Sequence, residues 1–169
     1  MIRLGFDIST SCCGWAFTED RKILDCGFID ISKAETSKDK TKLVTDVIDS
    51  NKHLPSVNCI NVETALSGFG FGFTSQQVII KLARFNAVFC YIIEEHYKKV
   101  PYLVNAVTAR KQLFGKSRIK GIKPKVFVKD QIDKMFDMTP WLVYNKLKNV
   151  DKKMEDVYDA VVISFFKST

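Results

Sequence analysis

Ile2, Leu4, Phe6 and Ile8 alternate with Arg3, Gly5 and Asp7, the two-residue period of a strand with one apolar face. Asp7 therefore projects away from the apolar set. Ser9-Thr10-Ser11 and Gly14 punctuate a turn before Trp15-Ala16-Phe17 resumes an apolar run, and Lys22 to Ile31 reads as a third strand. These pieces predict a three-stranded antiparallel meander. Ser32 to Lys42 is polar and reads as a loop, after which Leu43, Val44, Val47 and Ile48 share one helical face that ends before Pro55. Val57 to Glu63 is a β-branched strand, and the helix before it allows it to lie parallel to the first. A second acid, Glu63, thus stands at a strand's C-terminal end.

Leu66 to Ser75 interleaves Gly68, Gly70 and Gly72 with Phe69, Phe71 and Phe73. Exposed rings are costly in water, which favours a ligand for this segment. Ser75 can cap a long helix from Gln76 to about Tyr97. That helix carries two apolar stripes: Val78, Leu82, Phe85, Phe89 and Ile92, and beside them Ile79, Ala83, Ala87 and Ile93. One can cover the sheet. The other needs a further partner, and the first stripe is taken as a homodimer interface.

Val100 to Val107 reads as the last strand, with Pro101 tolerable at its start. Arg110, Lys111, Lys116, Arg118, Lys120, Lys123, Lys125 and Lys129 then fall within 20 positions without an intervening acid. Gly115 and Gly121 make part of this segment a loop, and an uncompensated basic loop suits phosphate contact. Pro124 can open a helix through Val126, Val128, Ile132 and Phe136. After a polar link from Asn145 to Lys153, the final helix runs from Glu155 to Lys167. Asp156 and Asp159, three apart, lie on one of its faces.

Size and composition fit one α/β domain over 1–169, with a five-stranded mixed sheet: three antiparallel strands, then two parallel. The chain is 46% hydrophobic and 27% charged, and its net charge of +7 points to an anionic partner, nucleic acid before membrane. Five cysteines without C-x-x-C spacing read as reduced thiols of a cytoplasmic protein. The strand begins at Ile2, which leaves no room for a signal peptide.

The predicted topology brings Asp7, Glu63, Asp156 and Asp159 together, with Glu155 as an alternate to Asp156. Gathered carboxylates repel unless cations neutralise them. Oxygen donors without His or Cys suit two Mg²⁺ ions, for which Mn²⁺ can substitute. Such a pair activates water and stabilises the leaving oxygen of a phosphodiester.

Phe-Asp-Ile-Ser-Thr-Ser at 6–11, Val-Glu-Thr at 62–64 and Glu-Asp-Val-Tyr-Asp-Ala-Val at 155–161 resemble the RuvC-type Holliday-junction resolvases of the RNase H-like fold. The resemblance implies helices on both faces of the sheet, a homodimer on four-way DNA junctions, and paired nicks leaving 5′-phosphate and 3′-OH ends. It implies Asp7, Glu63, Asp156 and Asp159 as metal ligands and catalytic residues, and no small-molecule cofactor. Phe69, Phe71 and Phe73 would stack on opened base pairs. Arg110, Lys111, Lys116, Arg118, Lys120, Lys123 and Lys125 would hold the backbone. The compact length suits a bacteriophage-encoded member acting in the host cytoplasm. Alternatives are a pre-ribosomal-RNA nuclease of the same fold and a non-catalytic nucleic-acid-binding module.

Overall fold

Period-two alternation produces a central strand, β1 (Ile2–Ile8), with antiparallel β2 (Cys12–Glu19) on one side and parallel β4 (Val57–Glu63) on the other. The computed structural model describes residues 1–64 and 76–167. β3 (Lys22–Asp30) pairs antiparallel with β2, and a short β5 (Tyr102–Val104) pairs parallel with β4, giving the order β3-β2-β1-β4-β5. This is the predicted sheet: three antiparallel strands followed by two parallel ones.

The even positions of β1 face one layer. Leu4, Phe6 and Ile8 are buried with Val44 and Ile48 of α1 (Ser37–Asp49) and with Phe85, Phe89 and Ile93 of α2 (Gln76–Tyr97). Phe6 meets Phe89 edge to face, 5.2 Å between ring centroids. The opposite face is covered by α5 (Met154–Phe165), flanked by α3 (Ala106–Phe114) and α4 (Pro124–Met135). From Val157 to Phe165 every residue of α5 is buried.

Two glycines make that approach possible. A Cβ on Gly5 would lie 2.4 Å from the backbone nitrogen of Ser164, and one on Gly14 would lie 2.2 Å from the carbonyl oxygen of Asp156. Gly14 is thus not turn punctuation: it sits within β2, paired with Asp7 of β1. The side-chain amide of Asn61 then donates to the carbonyls of Ile163 (2.9 Å) and Phe166 (3.0 Å), fixing the far end of α5.

Several boundaries differ from the sequence expectation. α1 begins at Ser37, inside the segment expected to be loop, because Thr36 caps it by accepting from the Asp39 amide at 3.1 Å. The expected strand 100–107 is cut to Tyr102–Val104, because the Asn105 side chain accepts from the amides of Val107 and Thr108 and starts α3. α3 ends at Gly115, whose φ of 74° is left-handed.

Both stripes of α2 reach the sheet, since Ile93 of the second is buried there with Phe85 and Phe89 of the first. Phe85 and Phe89 are buried against the sheet, so the stripe assigned to a homodimer is partly core. Leu82 and Ile92 are half-buried and Val78 is exposed. Ile80, Val88 and Tyr91 are the exposed apolar side chains of the opposite face. The large rings went to the sheet because one helix face must fill its central gap. The cap expected at Ser75 lies outside the described residues. The five cysteines are free, and among the described residues no helix is long and apolar enough to cross a membrane.

Candidate active site

Each carboxylate of the site arrives by a different local rule. Asp7 lies near the end of β1 on the face turned toward α5, and Glu63 ends β4 one strand away. The carbonyl of Glu63 accepts from Asn86 Nδ2 of α2 at 2.8 Å, while the Thr64 amide continues the pairing to Val104 at 2.9 Å. Asp156 and Asp159 come from the first turns of α5, which Gly14 admits onto β2. A turn holds the neighbouring wall: Ser9 Oγ donates to the Cys12 carbonyl and accepts from the Cys12 amide, both at 3.0 Å.

The four acids line one open cleft of about 750 Å³, together with Glu155, Ser9, Thr64, Leu82, Arg110, Lys123, Lys125 and Lys152. Burial is the main force on the protonation of Asp7, Glu63 and Asp159. It pushes Asp7 well above the ordinary carboxylate range, reinforced by Glu63, Asp159 and Asp156. Glu63 is raised by burial as well, although the neighbouring Asp7 carboxyl works the other way. Asp159, 6% exposed, is raised by burial despite Arg110.

Cationic side chains stand closer than the sequence suggested. The acids were expected to lack basic partners, but Arg110 Nη2 of α3 donates to Asp159 Oδ1 at 2.9 Å. Lys125 Nζ, in the first turn of α4, lies 2.8 Å from Asp156 Oδ1 and 3.4 Å from Glu155 Oε2. Burial disfavours the charged form of Lys125, yet the Asp156 hydrogen bond and nearby carboxylates hold its pKa above the ordinary value. Arg110 is therefore part of the acid cluster rather than of a basic surface. Lys123 and Lys125 line the cleft, whereas Lys111, Lys116, Arg118 and Lys120 are exposed and do not. Lys152 was not anticipated, because it stood in a stretch read only as a polar link. Phe69, Phe71 and Phe73 lie outside the described residues.

Among the described residues no three His, Cys, Asp or Glu side chains close into a ready-made metal cage. The donor chemistry nevertheless fits a hard divalent cation: several oxygens at strand and helix ends, with burial and mutual repulsion opposing their ionisation. Cys12 faces Asp156, and burial raises its thiol pKa.

A stability prediction follows from these shifts. The folded chain holds protons on Asp7, Glu63 and Asp159 more tightly than the unfolded chain. Their contribution to stability is therefore complete below the unfolded values, near about 4. It is lost as pH rises through the raised folded values. In EDTA, the thermal midpoint is expected to carry a component that falls as pH rises above those unfolded values. Asp7→Asn should flatten that component, and an unchanged pH profile in the variant would contradict the assignment.

The sheet order, the parallel β1–β4 pair and the helix laid across β1 define an RNase H-like fold. No protein-family model matches the sequence, and no curated protein matches it. Solved structures are similar in fold. RuvC from Thermus thermophilus superimposes with a TM-score of 0.62 at 13% identity, over 97% of this chain and 91% of that one. T. thermophilus RuvC in complex with a Holliday junction substrate gives 0.60 at 12% identity, over 97% and 90%. The Fowlpox virus resolvase in complex with substrate Holliday junction DNA gives 0.50 at 16% identity, over 97% and 94%.

Proposed function

We infer that the protein is a metal-dependent endonuclease that resolves four-way and other branched DNA by paired nicks. One observation carries the reading: carboxylates from β1, β4 and α5 meet in a single cleft, on the fold that RuvC shares. A pure binding module has no reason to bury acids where phosphate must approach.

Asp7, Glu63, Asp156 and Asp159 would hold Mg²⁺, two ions by the charge they present, with Mn²⁺ as a substitute. Asp156 is preferred to Glu155, because it is the less exposed of the two and is felt at Asp7. Bound in this way, the ions supply a nucleophilic water and charge stabilisation of the leaving 3′ oxygen, giving 5′-phosphate and 3′-OH ends. The chain's own groups do the rest. Burial and the neighbouring acids oppose ionisation of Asp7, an effect that a bound cation would offset. Lys125 and Arg110, which neutralise Asp156 and Asp159 in the free protein, are placed to turn to the incoming phosphate. Lys123 adds positive charge at the same wall.

Binding to two symmetric strands calls for two copies. The exposed apolar face of α2, with Ile80, Val88 and Tyr91, supports a homodimer through that helix. Phe69, Phe71 and Phe73 are proposed to stack on bases at the branch point, and Lys111, Lys116, Arg118 and Lys120 to follow the arms.

The test is cleavage of a labelled four-way junction beside a linear duplex of matching sequence, in Mg²⁺, Mn²⁺ or EDTA. Paired nicks confined to the junction and abolished by EDTA are expected. A preference for structured RNA would overturn the reading in favour of an RNA-processing nuclease, and cutting of both DNAs alike would remove the branch selectivity.

A further inference from the structure

The segment between α4 and α5 holds an ordered hairpin that the proposed chemistry does not use. Tyr144 and Val150 bridge as antiparallel partners. The Asn145 amide donates to the Asn149 carbonyl at 2.8 Å, and the Asp151 amide to the Val143 carbonyl at 2.8 Å. Asn145 Oδ1 accepts from the amides of Leu147 (2.9 Å) and Asn149 (3.2 Å), and Lys148 takes a φ of 60° to close the turn. The tip is thus built from its own backbone and one asparagine.

What this scaffold displays is unusual for a surface turn. Leu147 is 80% exposed and Tyr144 58% exposed. Lys146 and Lys148 flank Leu147 and are exposed, while Lys153 at the base is engaged by Asp30. The hairpin 143–150 carries no acid, and Asp151 just after it, half-buried, accepts from the Lys153 amide at 2.9 Å. An apolar tip between two free lysines is poor material for a protein partner, because lysine is depleted from such interfaces. It matches a nucleic-acid groove, where apolar side chains wedge between base steps and lysines meet the flanking phosphates. Its base adjoins the active site: Lys152, directly after the Val143–Asp151 pair, lines the acid cleft.

We propose that the 143–150 hairpin is a second DNA-contacting element, with Leu147 pressing against base edges of an arm of branched DNA while Lys146 and Lys148 hold its two backbones. The inference rests on the branched-DNA reading above and adds to it a contact outside the catalytic cleft and outside the Gly/Phe segment. It sets how the cut strand is presented, because the hairpin and the α5 carboxylates are joined by only a few residues.

The experiment compares the wild-type chain with Leu147→Ser and with Lys146→Gln/Lys148→Gln, on a four-way junction carrying 2-aminopurine near the branch, on linear duplex DNA and on duplex RNA. These side chains are solvent-exposed, so thermal midpoints are expected to match wild type. The double lysine variant should reduce the dependence of log affinity on log salt by about two. Leu147→Ser should weaken junction binding about tenfold, reduce the 2-aminopurine signal and leave that salt slope unchanged. If the wild type binds and cuts the junction but both variants equal it, the hairpin is not a DNA contact and the resolvase reading stands. If the wild type ignores the junction, the resolvase reading fails, and the hairpin's DNA role fails with it.

Discussion

Asp7→Asn is expected to abolish junction cleavage in Mg²⁺ while binding of the same junction persists or tightens. Asp7 is the acid that senses all three others, and it sits where β1 brings its carboxyl against Glu63 and the α5 pair. The amide has nearly the same shape, so the fold is unaffected, but it removes the one negative charge common to the whole cluster. If that charge secures several kcal/mol of electrostatic assistance, each 1.36 kcal/mol is tenfold in rate. The loss should then be on the order of 10³ or more. Binding moves the other way, because one less buried acid faces the phosphate. Single-turnover cutting and electrophoretic binding on one junction separate the two effects. Normal cutting by the variant would place the site elsewhere.

Gly14→Ala is expected to have the second largest effect, although position 14 carries no chemistry. Its Cβ would lie 2.2 Å from the Asp156 carbonyl oxygen and 2.4 Å from the carbonyl carbon. Both are backbone atoms and cannot rotate away. Either β2 bends or the start of α5 lifts, and α5 is wedged between β1, β2 and its flanking helices. Overpacking of this kind costs about 3 kcal/mol, which for a chain of this size is roughly 6–12 °C in thermal midpoint. The same lift displaces Asp156 and Asp159 from Asp7. Cutting at temperatures well below the midpoint should therefore fall at least about tenfold, since small misplacement at a site is costly. A variant that melts early yet cuts at the wild-type rate when folded would show that α5 tolerates the shift.

Much of the sheet could be read from the chain because each strand has one wet or crowded face and one greasy one. Alternation at 2–8 gave both the central strand and the face that Asp7 occupies, and Asp156 and Asp159 fell on one helix face by their spacing. What was not legible depended on contacts between distant segments. The pairing of Arg110 with Asp159 and of Lys125 with Asp156 joins residues 49 and 31 positions apart, and no local pattern announces it. The boundary of β5 was hidden because Asn105 follows an unbroken apolar run and its capping role needs the next helix to exist. On α2 both stripes were equally apolar, and residues of both, Phe85, Phe89 and Ile93, meet the sheet, so hydrophobicity alone could not single out the buried face. The 143–150 hairpin escaped because its turn uses Asn145 and a left-handed Lys148 where glycine would have signalled it.

The clamp between Asn61 and the end of α5 ties together parts of the chain 102 residues apart. Until α5 has been synthesised, one face of the sheet is bare and two of the four carboxylates are absent from the cleft. A nascent chain carrying only the strands is thus a protein with an exposed hydrophobic layer and an incomplete acid cleft. Folding has to wait for its latest piece, and long-range closures of this kind are slow. Assembly of the acid cleft and completion of the core become a single event, so on the proposed nuclease reading a partly made or partly unfolded molecule would lack the site with which to cut.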